Sequence, residues 1–338
     1  MLYKFAMSKT RKVFSFNSRL DIVTGVQKVV VDVHNAIKDE FEAKIVGQKS
    51  FEQVSPNLGI KREEYIQFRN PFMFWNSIIL VHERKFLFIF WLLHYILFKR
   101  IKVVYIHHSM LYGHKFMTIM PKTVVCISDR GRENLVDEFG ISVERIHKIH
   151  NCVDDKYVEK HKSIVADKIT VLYPARINNG KRQLEIVKYL SGKLDRRVQI
   201  LFAGDGPQYE NLKNLVDSED ANMECLGFVS DMVNLMKQCD FILLFSDHEG
   251  LPISLIEATM MGLPIICNDV GGNTEIALNG ENAIVIDKWD ELLATLNRLP
   301  RMDEETYHSM CHRSREIYEE RFTFERFQKA YLNLLSNL

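Results

Sequence analysis

Apolar residues along this chain fall into short dense runs separated by amphipathic stretches, the pattern of buried strands alternating with helices. Lys12 to Phe16 predicts a first strand, and after Gly25 the residues Val26, Val29, Val30, Val33 and Ile37 recur at helical spacing. Further strands are predicted at Lys102–Ile106, Lys122–Ser128, Ile169–Pro174, Val198–Phe202, Met223–Phe228 and Phe241–Phe245. Helices are predicted at Gln183–Leu190, Tyr209–Val216 and Asp231–Gln238, whereas 41–82 shows no clear periodicity. Strands alternating with helices at this spacing predict doubly wound parallel sheets. The polar stretch Lys156–Lys168 reads as a linker. It divides the chain into a first domain, 1–163, and a second, 164–338.

One segment breaks the pattern. Phe86 to Phe98, FLFIFWLLHYILF, is apolar nearly all round and is bracketed by Arg84-Lys85 and Lys99-Arg100. At thirteen residues it is shorter than the ~20 needed to cross a bilayer. The first reading is a buried core helix. The second is a helix lying in a membrane surface, with the flanking cations on lipid headgroups.

The length of 338 residues suits two domains, and 46% apolar residues suffice for ordinary cores. Net charge is zero but unevenly spread. Residues 1–150 carry 23 Lys+Arg against 14 Asp+Glu, a net of +9, and the rest carry 21 against 30, a net of −9. The basic half suits an anionic partner. The six cysteines form no C-x-x-C pair, so neither a disulfide framework nor a zinc site is implied, and a reducing cytosol is expected. The start, MLYKFAMSKTRK, lacks the apolar core of a signal peptide. No G-x-G-x-x-G follows any predicted strand, which argues against a dinucleotide dehydrogenase.

The most informative stretch is Phe245 to Glu275, FSDHEGLPISLIEATMMGLPIICNDVGGNTE. It predicts strand end, loop, a helix over Ile253–Met261 opened by Pro252 and closed by Gly262, and a second strand Leu263–Cys267. Glu249 falls in the loop and Glu257 inside the helix, eight positions apart, a spacing that puts helical residues on one face. Upstream, Arg176 and Lys181 follow a predicted strand end and precede a helix, where cations meet phosphate.

The sequence E-G-L-P, then L-I-E-A, M-G-L-P and D-V-G-G before Glu275, resembles the signature of the family 4 retaining glycosyltransferases. The resemblance implies the GT-B fold: α/β, two doubly wound Rossmann-like domains facing each other across a cleft, with the terminal helix 322–338 packing back on the first domain. It further implies transfer of a sugar from a nucleotide diphosphate, a UDP-sugar rather than a GDP-sugar, to a glycan or lipid-linked acceptor of bacterial surface polysaccharide synthesis. Arg176 and Lys181 would hold the diphosphate and Glu257 the ribose. Glu249 with Gly250, Leu251 and Pro252 would meet the donor sugar, and Phe228 and Val229 the base. His107, at the end of the strand Lys102–Ile106, would reach the sugar. Gly25 and Gly204 would let backbone approach the ligands. Two departures stand out: Thr24-Gly25 replaces a pair of glycines, and Cys152 replaces a glycine in the turn after Arg145. No D-x-D occurs, so no metal and no cofactor are expected, and nucleic acid is not expected as a partner. The implied location is cytoplasmic, with peripheral attachment to the inner membrane face. The alternative is a GT-B subunit that binds or scaffolds without catalysis.

Overall fold

A computed structural model describes residues 11–113, 118–157, 168–219 and 222–338. Contacts divide the chain into two units, Met1–Cys152 with Phe324–Leu338, and Val153–Thr323. The division anticipated at 163/164 lies outside the described residues.

The first unit contains strands β1 (Lys12–Phe16), β2 (Glu42–Gly47), β3 (Tyr65–Gln67), β4 (Ser77–Val81), β5 (Lys102–His107), β6 (Thr123–Cys126) and β7 (Ile146–Lys148). Its helices are α1 (Gly25–Ile37), α2 (Leu87–Ile96) and α3 (Asp129–Asp137). The strands form one parallel sheet in the order β3-β2-β1-β4-β5-β6-β7. Three of them, β2, β3 and β4, come from the stretch whose periodicity was unreadable. The core beneath β1 is aromatic: Phe14 meets Phe74 edge to face at 5.4 Å, and Phe16 meets Phe90 at 5.0 Å.

The second unit begins at Val153 and contains β8 (Ile169–Pro174), α4 (Gln183–Leu190), β9 (Val198–Ala203), α5 (Tyr209–Glu219), β10 (Met223–Gly227), α6 (Met232–Gln238) and β11 (Phe241–Leu244). There follow α7 (Ile253–Met260), β12 (Ile265–Cys267), α8 (Asn273–Ile276), β13 (Ala283–Val285), α9 (Trp289–Arg298) and α10 (Glu304–Arg321). Its sheet is parallel in the order β10-β9-β8-β11-β12-β13. This order reverses direction between β8 and β11, and ligands of open parallel sheets bind beyond the carboxyl ends of the strands at such a point.

The last helix, α11 (Phe324–Ser336), belongs to the first unit. It buries Phe327, Tyr331, Leu334 and Leu335 on one face, and Gln328 Nε2 donates to the Ala36 carbonyl oxygen of α1 at 3.2 Å. The helix over 86–98 corrects the core-helix reading. Only Leu87, Phe90 and Leu93 of α2 are buried, and its other apolar residues face outward. Cys152 is buried and is not among the residues of positive φ, so the turn is made there without left-handed backbone.

Candidate active site

The loops after β8 and β11 meet at the switch point of the second sheet, and a buried tyrosine ties them together. Tyr173, near the end of β8, donates from its hydroxyl to the Lys181 carbonyl oxygen at 2.7 Å and accepts from the Phe245 N–H at 3.2 Å. Burial, reinforced by the Glu249 charge, pushes this phenol well above its ordinary pKa, so it stays a neutral donor. The Asp247 N–H donates to the Gly180 carbonyl oxygen at 2.8 Å, a second tie between the loops.

On that frame the Lys181 ammonium is paired with Glu249 Oε1. The same oxygen accepts the Ser246 hydroxyl at 2.7 Å. Glu249 is 9% exposed, so its charge stands in a poorly hydrated place and depends on these partners. Both of these bonds fall on Oε1. Beside this pair Arg182 binds Asp247, and its guanidinium lies 5.4 Å from the centre of the Phe245 ring and 5.9 Å from that of Trp289. Arg182 has φ +52° and caps α4, a conformation that costs a side chain about 1–2 kcal/mol.

Main chain packs tightly around the cluster. A Cβ on Gly204 would lie 2.1 Å from the Ala175 carbonyl oxygen, and one on Gly206 would lie 2.2 Å from that of Ile177. At Gly271, with φ +58°, a Cβ would lie 2.2 Å from the Glu249 carbonyl oxygen. The next residue, Gly272, donates its N–H to the Gly250 carbonyl oxygen at 2.7 Å. Gly271 and the Gly272 N–H set the backbone that carries Glu249, and Gly204 and Gly206 let the chain pass close to the loop of Arg176. Asn268 holds the other side of the loop, accepting from the Ser246 N–H at 3.1 Å and donating to the Ser246 carbonyl oxygen at 2.8 Å.

The anticipated site residues therefore divide. Lys181 and Glu249 are in contact, and Gly250 is anchored beside them. Leu251 and Pro252 are buried, with Pro252 the N-cap of α7 rather than a first-turn residue. Glu257 is the fifth residue of α7 and half-buried. Glu249 precedes the helix, so the expected shared helical face does not relate the two acids, and the loop at 246–252 positions Glu249 instead. Arg176 is exposed, makes no ion pair among the described residues, and is held by its carbonyl oxygen, which accepts from Gln183 Nε2 at 3.1 Å. The two cations are thus not an equivalent pair. Gly204 sits against the Arg176 loop, whereas Phe228, 65% exposed, and Val229 follow β10, two strands out from β8. Sequence reasoning missed Ser246, Tyr173, Arg182, Asp247 and Asn268. Ser246 and Asp247, three and two residues before Glu249, carried a local signal.

In the first unit His107 ends β5 and is buried, with neither ring nitrogen hydrogen-bonded among the described residues. Burial, against a raising contribution from Asn134 and helped by Arg84, pushes its pKa down to about 4, so it is a neutral imidazole near pH 7. Nearby His82 Nδ1 and His108 Nε2 are 3.0 Å apart, and burial also lowers both rings. Gly25 is the exposed first residue of α1 and lacks positive φ, so no special backbone is spent there. Among the described residues no group of His, Cys, Asp and Glu is placed to hold a metal ion.

Residues 155–316 match the family model described as glycosyl transferases group 1. That description is group 1, not the family 4 suggested by the E-G-L-P motif. The O-antigen biosynthesis glycosyltransferase WbnH of Escherichia coli is 26% identical over 247 residues, 69% of this chain and 69% of the relative. The 2-deoxystreptamine N-acetyl-D-glucosaminyltransferase of Niallia circulans is 31% identical over 151 residues, 43% of this chain and 38% of the relative. Among solved structures, Anabaena HepE in complex with UDP-glucose has a TM-score of 0.81 at 17% identity, covering 97% of this chain and 100% of that one. A glycosyltransferase from Rickettsia africae gives 0.80 at 17%, covering 97% and 98%. The structural likeness establishes the fold. Residues 155–316 thus resemble the glycosyl transferases group 1, in a chain with the GT-B fold.

Proposed function

We propose that this chain is a retaining glycosyltransferase of the family 4 pattern, moving a sugar from a UDP-sugar to a glycan or lipid-linked glycan. The place of action is bacterial surface polysaccharide synthesis at the inner face of the cytoplasmic membrane. The observation that carries the reading is the Lys181–Glu249–Ser246 cluster at the sheet's switch point, inside the region of the group 1 match. The UDP and lipid-linked parts are supported by relatives: HepE is described bound to UDP-glucose, and an Escherichia coli relative as a UDP-Gal:alpha-D-GlcNAc-diphosphoundecaprenol galactosyltransferase.

Each residue then has a chemical task. Lys181 has three N–H donors, so it can keep Glu249 and still bind a phosphate oxygen. Exposed Arg176 supplies a planar fork to the same diphosphate. Glu249 Oε2 accepts a sugar hydroxyl, and Glu257 accepts the ribose diol. As the bond from C1 to the phosphate oxygen breaks, charge grows on the leaving UDP. Fixed cations lower that barrier without divalent metal. The acceptor oxygen bonds to C1 on the face the phosphate leaves, and its proton passes to the departing phosphate oxygen. Glu249, bound to Lys181 and Ser246, orients the sugar and is not a nucleophile.

The test is transfer from UDP-sugars to undecaprenyl-linked glycans in the presence of EDTA, with product anomers read by NMR. Wild type should give product of the donor's anomeric configuration. Arg176→Ala and Glu257→Ala should abolish transfer while circular dichroism is unchanged. Wild-type turnover in both variants would refute the assignment, and an inverted product would refute retention.

A further inference from the structure

Most of the large apolar side chains that face water lie in one part of the first unit. On α2 the outward residues Phe88, Ile89, Trp91, Leu92, Tyr95 and Ile96 are each at least 37% exposed. Below them Leu87, Phe90 and Leu93 anchor the helix in the core, so the outer face is a surface on a fixed support. The helix ends in an unusual way. Phe98 and Lys99 both have positive φ, +51° and +60°, where a glycine is the ordinary choice. That backbone leaves Phe98 79% exposed, edge to face with exposed Trp75 at 6.5 Å. Strained backbone that holds an aromatic ring in solvent is a feature of binding surfaces rather than of cores.

The segment that carries this face has charge of one sign. Between Glu83 and Asp129 the 45 residues 84–128 contain no Asp or Glu and seven Lys or Arg. Glu83 itself is taken up by Ser18 and by Lys85, whose ammonium is 3.0 Å away. Arg84 and Lys85 stand before α2 and Lys99 and Arg100 after it. Lys85 lies over the Phe86 ring at 5.0 Å and Lys99 over that of Tyr95 at 5.9 Å. A second copy docked face to face would bring these cations onto each other. An anionic bilayer surface neutralises them and takes the rings into its headgroup layer, where Trp and Tyr are favoured. α2 is ten residues long, and no described helix is long and apolar enough to cross a membrane. A flat-lying helix is the geometry that fits.

We propose that the outer face of α2, with Trp75 and Phe98, is the surface by which this chain lies on an anionic lipid bilayer. The proposal deepens the membrane part of the functional reading. It rests on the first unit alone, and its failure is therefore separable from failure of the nucleotide site.

The test uses the full chain with vesicles of phosphatidylcholine alone, or mixed equally with phosphatidylglycerol, read by sedimentation and by quenching with brominated phosphatidylglycerol. Trp75 and Trp91 lie at the face and Trp289 in the second unit. A Trp289→Phe background therefore isolates the signal. The wild type should bind mixed vesicles, weaken with salt, and show quenched tryptophans. Lys99→Glu with Arg100→Glu should weaken binding at least about tenfold, and Phe88→Ser with Tyr95→Ser by a similar factor. UDP binding should stay unchanged when the same Lys99, Arg100, Phe88 and Tyr95 substitutions are made in the chain that keeps Trp289. Failure of the wild type to sediment with mixed vesicles, or unquenched tryptophans in bound protein, overturns the proposal. So does a dimer that the serine variants dissociate without any lipid binding, which would assign the face to a second copy.

Discussion

At the scale of residues, the site is governed by how few groups share the charge on Glu249. Glu249→Gln keeps an acceptor for Ser246 but leaves Lys181 without its counter-charge. Turnover should fall by about 10²–10³ with fold unchanged, as when a single preorganised group is lost elsewhere. Gly271→Ala should do similar harm from outside the cluster. Its Cβ would press on the Glu249 carbonyl oxygen at 2.2 Å in a left-handed backbone, so the loop must shift. The expected cost is about 1–3 kcal/mol of stability with a raised KM for donor, measured by urea unfolding and initial rates. Equal KM and stability would show that the loop does not hold Glu249. His107 gives a pH signature. Its folded pKa of about 4 lies below the ordinary 6.5, so the unfolded chain binds the extra proton first. Stability from the neutral ring is complete above about pH 6.5 and is lost as pH falls towards 4, by up to about 1.4 kcal/mol per pH unit. The urea midpoint of the first unit should drop between pH 7 and 5, and His107→Gln should reduce that drop. An unchanged pH dependence in the variant would contradict the buried, neutral imidazole. Lys181 and Glu249 were legible because they lie in a strand–loop–helix pattern. Arg182 was not: its placement depends on Asp247, Phe245 and Trp289, brought together only by folding.

At the scale of elements, the legible strands were those whose apolar run stood alone between turns, such as β8, β9 and β11. The stretch 41–82 was opaque because β3 has three residues and short turns of 3₁₀ helix break up the periodicity on both sides. α10 went unread for another reason. Its buried residues Tyr307, Met310, Ser314, Ile317 and Tyr318 are outnumbered by charged neighbours, so its apolar stripe is thin. The reverse error befell α2, whose apolar residues exceed what the core can take. α11 shows how much one element can matter. It buries Phe327, Tyr331, Leu334 and Leu335 on the first unit, about 1.5–3 kcal/mol for each side chain. Truncation after Thr323 should therefore unfold the first unit while leaving the second able to bind UDP. Limited proteolysis and calorimetry would show this, and a first unit as resistant as in the full chain would contradict it.

At the scale of the whole molecule, the two sheets have the same strand order around their first strands. Charge separates them: the basic excess lies in residues 1–150, which include the exposed aromatic face, and the acidic excess in the remainder. A nucleotide that binds the folded second unit and not its unfolded form stabilises it by mass action, so that unit's melting temperature should rise with UDP. The proposed transfer requires Lys181 and Glu249 to form a nucleotide diphosphate site. Calorimetric titration of UDP into the full chain in EDTA, beside Lys181→Ala, tests this most directly. Binding in the micromolar to millimolar range, weakened at least about tenfold by the substitution, is the result expected from one lost charge-assisted bond. No heat of binding in the wild type, or equal affinity in both proteins, would contradict it.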